Sequence, residues 1–238
     1  MAIAAPKPSG SIDFGRAIGF VTDDPEWLKK VLVGGVFALL CAILVGVPFV
    51  FGYVARVLRR VAAGETRPLP EWDDLGGFFG DGVRLFGVQL VYSLGASVVI
   101  GVPALMAVLV LAGLGAASGD AGEARGPLAL FAVLGFVALY AVILVVALAL
   151  AIYLPAALVR VAIRESFAEG FAVREIFFFI RANLGNYALS LVAYLVAAFV
   201  AQFGLLLCFV GIFPAMFWSY LVVAHALGQT VRLNPTSL

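Results

Sequence analysis

Charged residues divide the chain into four long tracts without Asp, Glu, Lys or Arg: 31–55, 85–119, 126–159 and 182–231. These tracts are 25, 35, 34 and 50 residues long, and ~20 apolar residues carry a helix across a ~30 Å hydrocarbon core. The second and third each predict one span with length to spare, which must tilt or run on beyond the core. The fourth predicts two spans with a tight turn near Gln202–Gly204. No tract alternates apolar and polar residues at period two, which excludes a barrel. The expected fold class is therefore all-α, a polytopic helical membrane protein with four to five transmembrane helices.

The first tract admits two topologies. As one span, its 25 residues reach ~37 Å at a rise of about 1.5 Å per residue. As a re-entrant hairpin, each arm reaches about half the core. The central Leu44-Val45-Gly46-Val47-Pro48 holds a glycine and a proline where a hairpin turns. Turn backbone exposed to lipid is costly, so this topology expects the other helices to cover it.

Basic residues weigh the two topologies against each other. Five simple spans place ten on one side: Arg56, Arg59, Arg60, Arg67, Arg84, Arg160, Arg164, Arg174, Arg181 and Arg232. The other five are Lys7, Arg16, Lys29, Lys30 and Arg125. A hairpin moves the first four of those five across, giving fourteen to one, and the positive-inside tendency favours that split. Both topologies put the loops at 56–84 and 160–181, and the C-terminus, in the cytoplasm.

Composition agrees with a lipid solvent: 64% of residues are hydrophobic and 12% charged, against about 45–50% and about 25% in soluble domains. A net charge of +1 gives no basic field for nucleic acid. Cys41 and Cys208 lie inside apolar runs and read as small core hydrophobes. Residues 1–12 lack the apolar region of a cleavable signal, so the expected location is the inner (cytoplasmic) membrane of a prokaryote. The expected division is an N-terminal tail and interfacial helix start at 1–30, a single helical membrane domain at 31–231, and a tail at 232–238.

An internal echo runs through the chain. Arg59-Arg60-Val61-Ala62-Ala63-Gly64-Glu65 resembles Val159-Arg160-Val161-Ala162-Ile163-Arg164-Glu165, and each precedes an amphipathic stretch and an apolar span. With Pro48, Pro155 and Pro214 in apolar stretches, a duplicated helix, surface helix, helix unit is one reading. Shared apolar composition is the other.

Candidate chemistry is sparse. Pro-Glu-Trp occurs at Pro25-Glu26-Trp27 and Pro70-Glu71-Trp72. Asp24 reads as an N-cap with Pro25 at the first helical position, and Trp27 and Trp72 read as interfacial anchors. Glu71, Asp73 and Asp74 form an acidic cluster, read first as a helix start and second as a site for a divalent cation or partner. Two cytoplasmic interfacial helices are expected, near 72–86 and 171–184. In the second, Ile176, Phe177 and Ile180 share a helical face. Phe177, Phe178 and Phe179 are expected at the headgroup boundary, with Arg174 and Arg181 on phosphates.

Ala193, Ala197, Ala201 and Gly204 form a small-residue seam, read as internal packing ahead of a homo-oligomer contact. His225, the single histidine, has no metal or nucleophile partner in its pattern and reads as a packing or interface residue. No phosphate loop, CxxC pair or hydrolase motif occurs, so the expectation is no enzyme and no cofactor.

Several blocks carry a resemblance. Asp23-Asp24-Pro25-Glu26-Trp27-Leu28-Lys29-Lys30 leads into the first tract, followed by Gly52-Tyr53-Val54-Ala55-Arg56-Val57-Leu58-Arg59 and Leu69-Pro70-Glu71-Trp72-Asp73-Asp74. The tail reads Ala224-His225-Ala226-Leu227-Gly228-Gln229. Together these resemble the bacterial and archaeal membrane proteins of domain of unknown function 4013, over roughly residues 14–230. The resemblance implies a multi-spanning prokaryotic membrane domain and no particular activity. Two functions fit: a non-enzymatic membrane scaffold or lipid-interacting protein, or a small transporter or channel subunit without proton or sodium coupling. The scaffold reading is favoured, because few polar residues are available to line a solute path. Its partners are membrane lipids and, secondarily, other membrane proteins or a second copy.

Overall fold

The computed structural model describes residues 10–117, 125–206 and 210–238. Eight α-helices and no strand are found among them. They are α1 (Phe14–Gly19), α2 (Trp27–Leu40), α3 (Val47–Ala63), α4 (Leu75–Ala117), α5 (Arg125–Arg164), α6 (Val173–Ala182), α7 (Leu184–Gln202) and α8 (Ile212–Leu233). The stretches Leu75–Val110, Leu130–Arg164, Leu184–Leu206 and Ile212–Leu233 are long and apolar enough to cross a membrane. This is the make-up of a multi-pass membrane protein. Residues 118–124, Lys7 and Cys208 lie outside the described residues.

The first tract is a hairpin. After Leu40 a short 3-10 turn (Cys41–Ile43) leads to Leu44 in the left-handed region, φ 65°, and α3 departs at Val47. Phe37 and Phe49 stack across the turn at 4.8 Å. The two open ends meet: the Lys30 ammonium at the start of α2 lies 3.4 Å from the Leu69 carbonyl beyond α3. One straight span would hold those groups a bilayer apart.

The expectation that other helices cover the turn is corrected. Ala42, Ile43, Leu44 and Val45 are exposed, and the turn closes its own amides instead. Leu44 N–H donates to Cys41 O, Gly46 N–H to Leu40 O and Val47 N–H to Leu44 O. These three amides, satisfied within the turn, can face lipid without loss of a hydrogen bond.

Two compact units emerge. Unit 1 is Met1–Val88 with Ala156–Leu238, and unit 2 is Gln89–Pro155. In unit 1, α8 is the hub, packing on α2, α3 and α7. Its Phe217, Leu221, Val222 and Ala226 are fully buried. Ala193 and Ala197 of α7 share a buried cluster with Val222 and Ala226, and Ala201 and Gly204 are buried too. The small-residue seam therefore faces α8 of the same chain. Ser190 and Thr230 hydroxyls add a polar contact between α7 and α8 at 3.1 Å.

The crossing of α3 with the start of α4 rests on two glycines. A Cβ on Gly52 would overlap the Phe78 backbone, and one on Gly82 would overlap the Pro48 carbonyl. This contact explains why the glycine-rich stretch from 76 to 82 is helical despite its low propensity. It also corrects the expected surface helix at 72–86. Residues 75–86 of that stretch are the first part of α4, which runs on unbroken for 43 residues.

The described part of 1–30 is likewise no detached tail. Ile12, Ala17, Phe20 and Val21 are buried, and α1 packs on α7 and α8.

Unit 2 holds the distal parts of α4 and α5. Tyr92 and Tyr153 meet edge to face at 5.5 Å, their hydroxyls 3.3 Å apart. Most of its large apolar side chains are exposed, Val98 by 63% and Leu144 by 58%.

Candidate polar site at the charged end of unit 1

The Leu69-to-Asp74 block closes the mouth of the hairpin. Tyr53 Oη donates to Pro70 O at 2.9 Å, and Trp72 Nε1–H donates to Lys30 O at 3.0 Å. The Trp72 ring sits among Tyr53, Phe37, Phe78 and Phe217, with centroids 4.3–5.9 Å away. Trp72 is thus corrected from an interfacial anchor to a half-buried plug. Aromatic neighbours take up its ring, and the start of α2 takes its N–H. Trp27, on the opening turn of α2, is also half-buried.

Lys30, only 4% exposed, reaches Asp24 at 2.8 Å and Glu71 at 2.5 Å. Burial opposes the charge on Asp24, but the Lys30 ammonium and the Glu26 N–H outweigh it and hold the carboxyl below its usual range. For Lys30, burial is likewise outweighed, by Asp24 and Glu71, and its pKa is raised. The expected N-cap at Asp24 is shifted. Its Oδ1 accepts from Glu26 N–H at 2.8 Å, and regular helix begins at Trp27 with Pro25 outside it.

The acidic cluster is dispersed. Glu71 goes to Lys30, whereas Asp74 accepts from Arg56 at 2.5 Å and from Gly77 N–H at 2.9 Å. Arg56 and the Gly77 amide hold Asp74 below the usual carboxylate range. Among the described residues no group of three or more His, Cys, Asp or Glu is placed to hold a metal. Further ion pairs join Arg59 to Asp81 and to Glu165 at 2.8 Å, and Arg160 to Glu169.

Helix α6 forms where expected, with its faces assigned differently. Ile176, Phe179 and Ile180 are buried, while Phe177 and Phe178 are exposed by 50% and 53%. Phe179 is therefore corrected from a lipid contact to a core residue, its ring set edge-on to Tyr187 at 6.0 Å. Arg174 and Arg181 are exposed, and no described carboxylate lies within 4.0 Å of either.

A cavity of about 290 Å³ lies beside the end of α8, lined by Ser11, Asp13, Arg16, Val61, Glu65, His225, Gln229, Arg232 and Leu233. His225 stacks on Phe20 at 4.2 Å. Gln229 clamps the N-terminal segment: its Oε1 accepts from Asp13 N–H at 2.7 Å, and its Nε2 donates to Asp13 O at 3.1 Å. That orientation makes Nε2, 3.0 Å from His225 Nδ1, the donor to the ring. The imidazole is then a neutral acceptor at Nδ1 with its proton on Nε2.

Sequence reading placed His225 as a packing or interface residue and missed this cavity. The available signal was the polar stripe His225, Gln229 and Arg232, at i, i+4 and i+7 on one face of an apolar helix. Asp13, Arg16 and Glu65 join it from other elements.

The profile of a family described as "Protein of unknown function (DUF4013)" matches residues 35–210. No curated protein and no solved structure matches the chain.

Proposed function

The chain belongs to the DUF4013 family, and from that premise and its geometry we propose a non-enzymatic, lipid-interacting scaffold of the prokaryotic cytoplasmic membrane. Its charged end, with the C-terminus, faces the cytoplasm. The observation that carries this reading is α6. One face is built into the protein, while Phe177 and Phe178 stand exposed between two arginines with no carboxylate partner among the described residues. Aromatic side chains at the headgroup level beside basic residues are the chemistry of an interfacial helix on an anionic leaflet. Unit 2 supports it, since residues 89–117 and 126–155 contain no Asp, Glu, Lys, Arg or His and their described apolar side chains are mostly exposed, as surface for lipid.

The test is lipid retention through purification. Each juxtamembrane basic residue is worth about 1 kcal/mol near an anionic leaflet. Replacing Arg174 and Arg181 together by Glu should strip most co-purifying anionic phospholipid while the thermal unfolding profile holds. Unchanged anionic lipid in a folded double variant would reject the reading.

A further inference from the structure

We propose that the cavity at the end of α8 binds a zwitterion carrying both a phosphate and an ammonium, the chemistry of a phosphoethanolamine headgroup. Four charged side chains share one space there without closing on each other. Arg16 and Arg232 line the cavity together with Asp13 and Glu65. Among the described residues, neither arginine has a carboxylate within 4.0 Å. Glu65 meets only Arg60, at 3.7 Å, and Asp13 accepts the Arg16 backbone N–H at 2.9 Å rather than its guanidinium. Opposite charges that line one cavity without pairing across it leave a place for a ligand dipole. A simple anion would meet two carboxylates there, and a simple cation two guanidiniums, whereas a zwitterion answers both signs.

The rest of the site fits that ligand. About 290 Å³ lies at the lower end of small-molecule pockets, matching a headgroup-sized compound rather than a nucleotide. Guanidinium groups are suited to phosphate oxygens. The floor is preorganised, because Gln229 is fixed by both backbone groups of Asp13 and by His225. The mouth is open, as Asp13, Arg16, Glu65 and Arg232 are all exposed. The proposal deepens the lipid-interacting reading and rests on it only for the membrane as the ligand's source.

The experiment titrates the purified full-length protein by calorimetry with four probes: soluble phosphoethanolamine, inorganic phosphate, short-chain phosphatidylethanolamine and short-chain phosphatidylglycerol. Phosphoethanolamine should bind at least tenfold more tightly than phosphate, and Arg232→Gln should weaken it at least tenfold with the melting profile retained. Glu65→Gln should weaken phosphoethanolamine while leaving phosphate binding as tight or tighter. Tighter binding of phosphatidylethanolamine than of the soluble headgroup identifies a membrane source, and equal binding identifies a free solute; each supports the site. Failure of the α6 variants to lose lipid while phosphoethanolamine still binds would reject the scaffold reading and leave this site standing. Absence of phosphoethanolamine binding, binding unaffected by Arg232→Gln, or phosphatidylglycerol binding as tight as phosphatidylethanolamine would overturn the proposal.

Discussion

Units 1 and 2 draw on the same apolar side chains and spend their length in opposite ways. In unit 1, α7 and α8 are 19 and 22 residues long, or ~28 and ~33 Å, close to one bilayer. They bury small residues against each other, and their charged partners gather at one end. Unit 2 holds residues 89–117 of α4 and 125–155 of α5, about 45 Å of helix each. Their large apolar side chains are mostly exposed. A membrane protein can thus take its stability from close internal packing in one part and leave lipid to solvate another. Lipid tails are as apolar as leucine, so exposure of leucine in the second part carries no penalty.

The sharpest way to break this comparison is to add bulk at matched glycines. A side chain on Gly82 must displace the Pro48 backbone, whereas nothing lies within 4 Å of a Cβ on Gly101 in unit 2. Gly82→Val should lower stability by more than about 4 kcal/mol, the range of severe overpacking. Gly101→Val should change it by less than about 1 kcal/mol, the scale of a helix propensity difference. Thermal scanning of both detergent-solubilised variants checks this; equal losses would erase the distinction between the units.

A smaller effect should appear with pH, again confined to unit 1. Asp24 is depressed from an ordinary value of 3.8, so its contribution is complete above 3.8 and lost as pH falls through the lower folded value. Lys30 is raised from 10.5, so its contribution is complete below 10.5 and lost as pH rises through the higher folded value. The hairpin should therefore be most stable on the plateau between. Lys30→Met should cost about 3–5 kcal/mol there, because it leaves the buried Asp24 carboxylate uncompensated. A pH-independent difference between wild type and Lys30→Met from pH 3 to 11 would contradict this assignment.

Much of the fold was legible because charge-free length alone reports membrane spans, and because fourteen basic residues on one side point to a hairpin. The unbroken start of α4 was not legible. Glycines at 76, 77, 80 and 82 lower intrinsic helicity, and only the contact of Gly82 with Pro48 shows why the helix survives. Five consecutive apolar residues at 176–180 hide which stripe faces inward, so Phe177 was taken for the Ile176 face that Phe179 occupies. The candidate cavity was half legible, in the stripe His225, Gln229 and Arg232. Its carboxylates and Arg16 reach the site through tertiary contacts that no local pattern records.

The central claim, an internally packed unit 1 and a lipid-solvated unit 2, is tested most directly by truncating one leucine in each. Leu221 is fully buried and Leu144 is 58% exposed. The unfolding free energies of Leu221→Ala and Leu144→Ala, measured in the same lipid bilayer, should differ widely. Leu221→Ala should lose about 2–5 kcal/mol and Leu144→Ala less than about 0.5 kcal/mol. Equal losses at the two positions would contradict it.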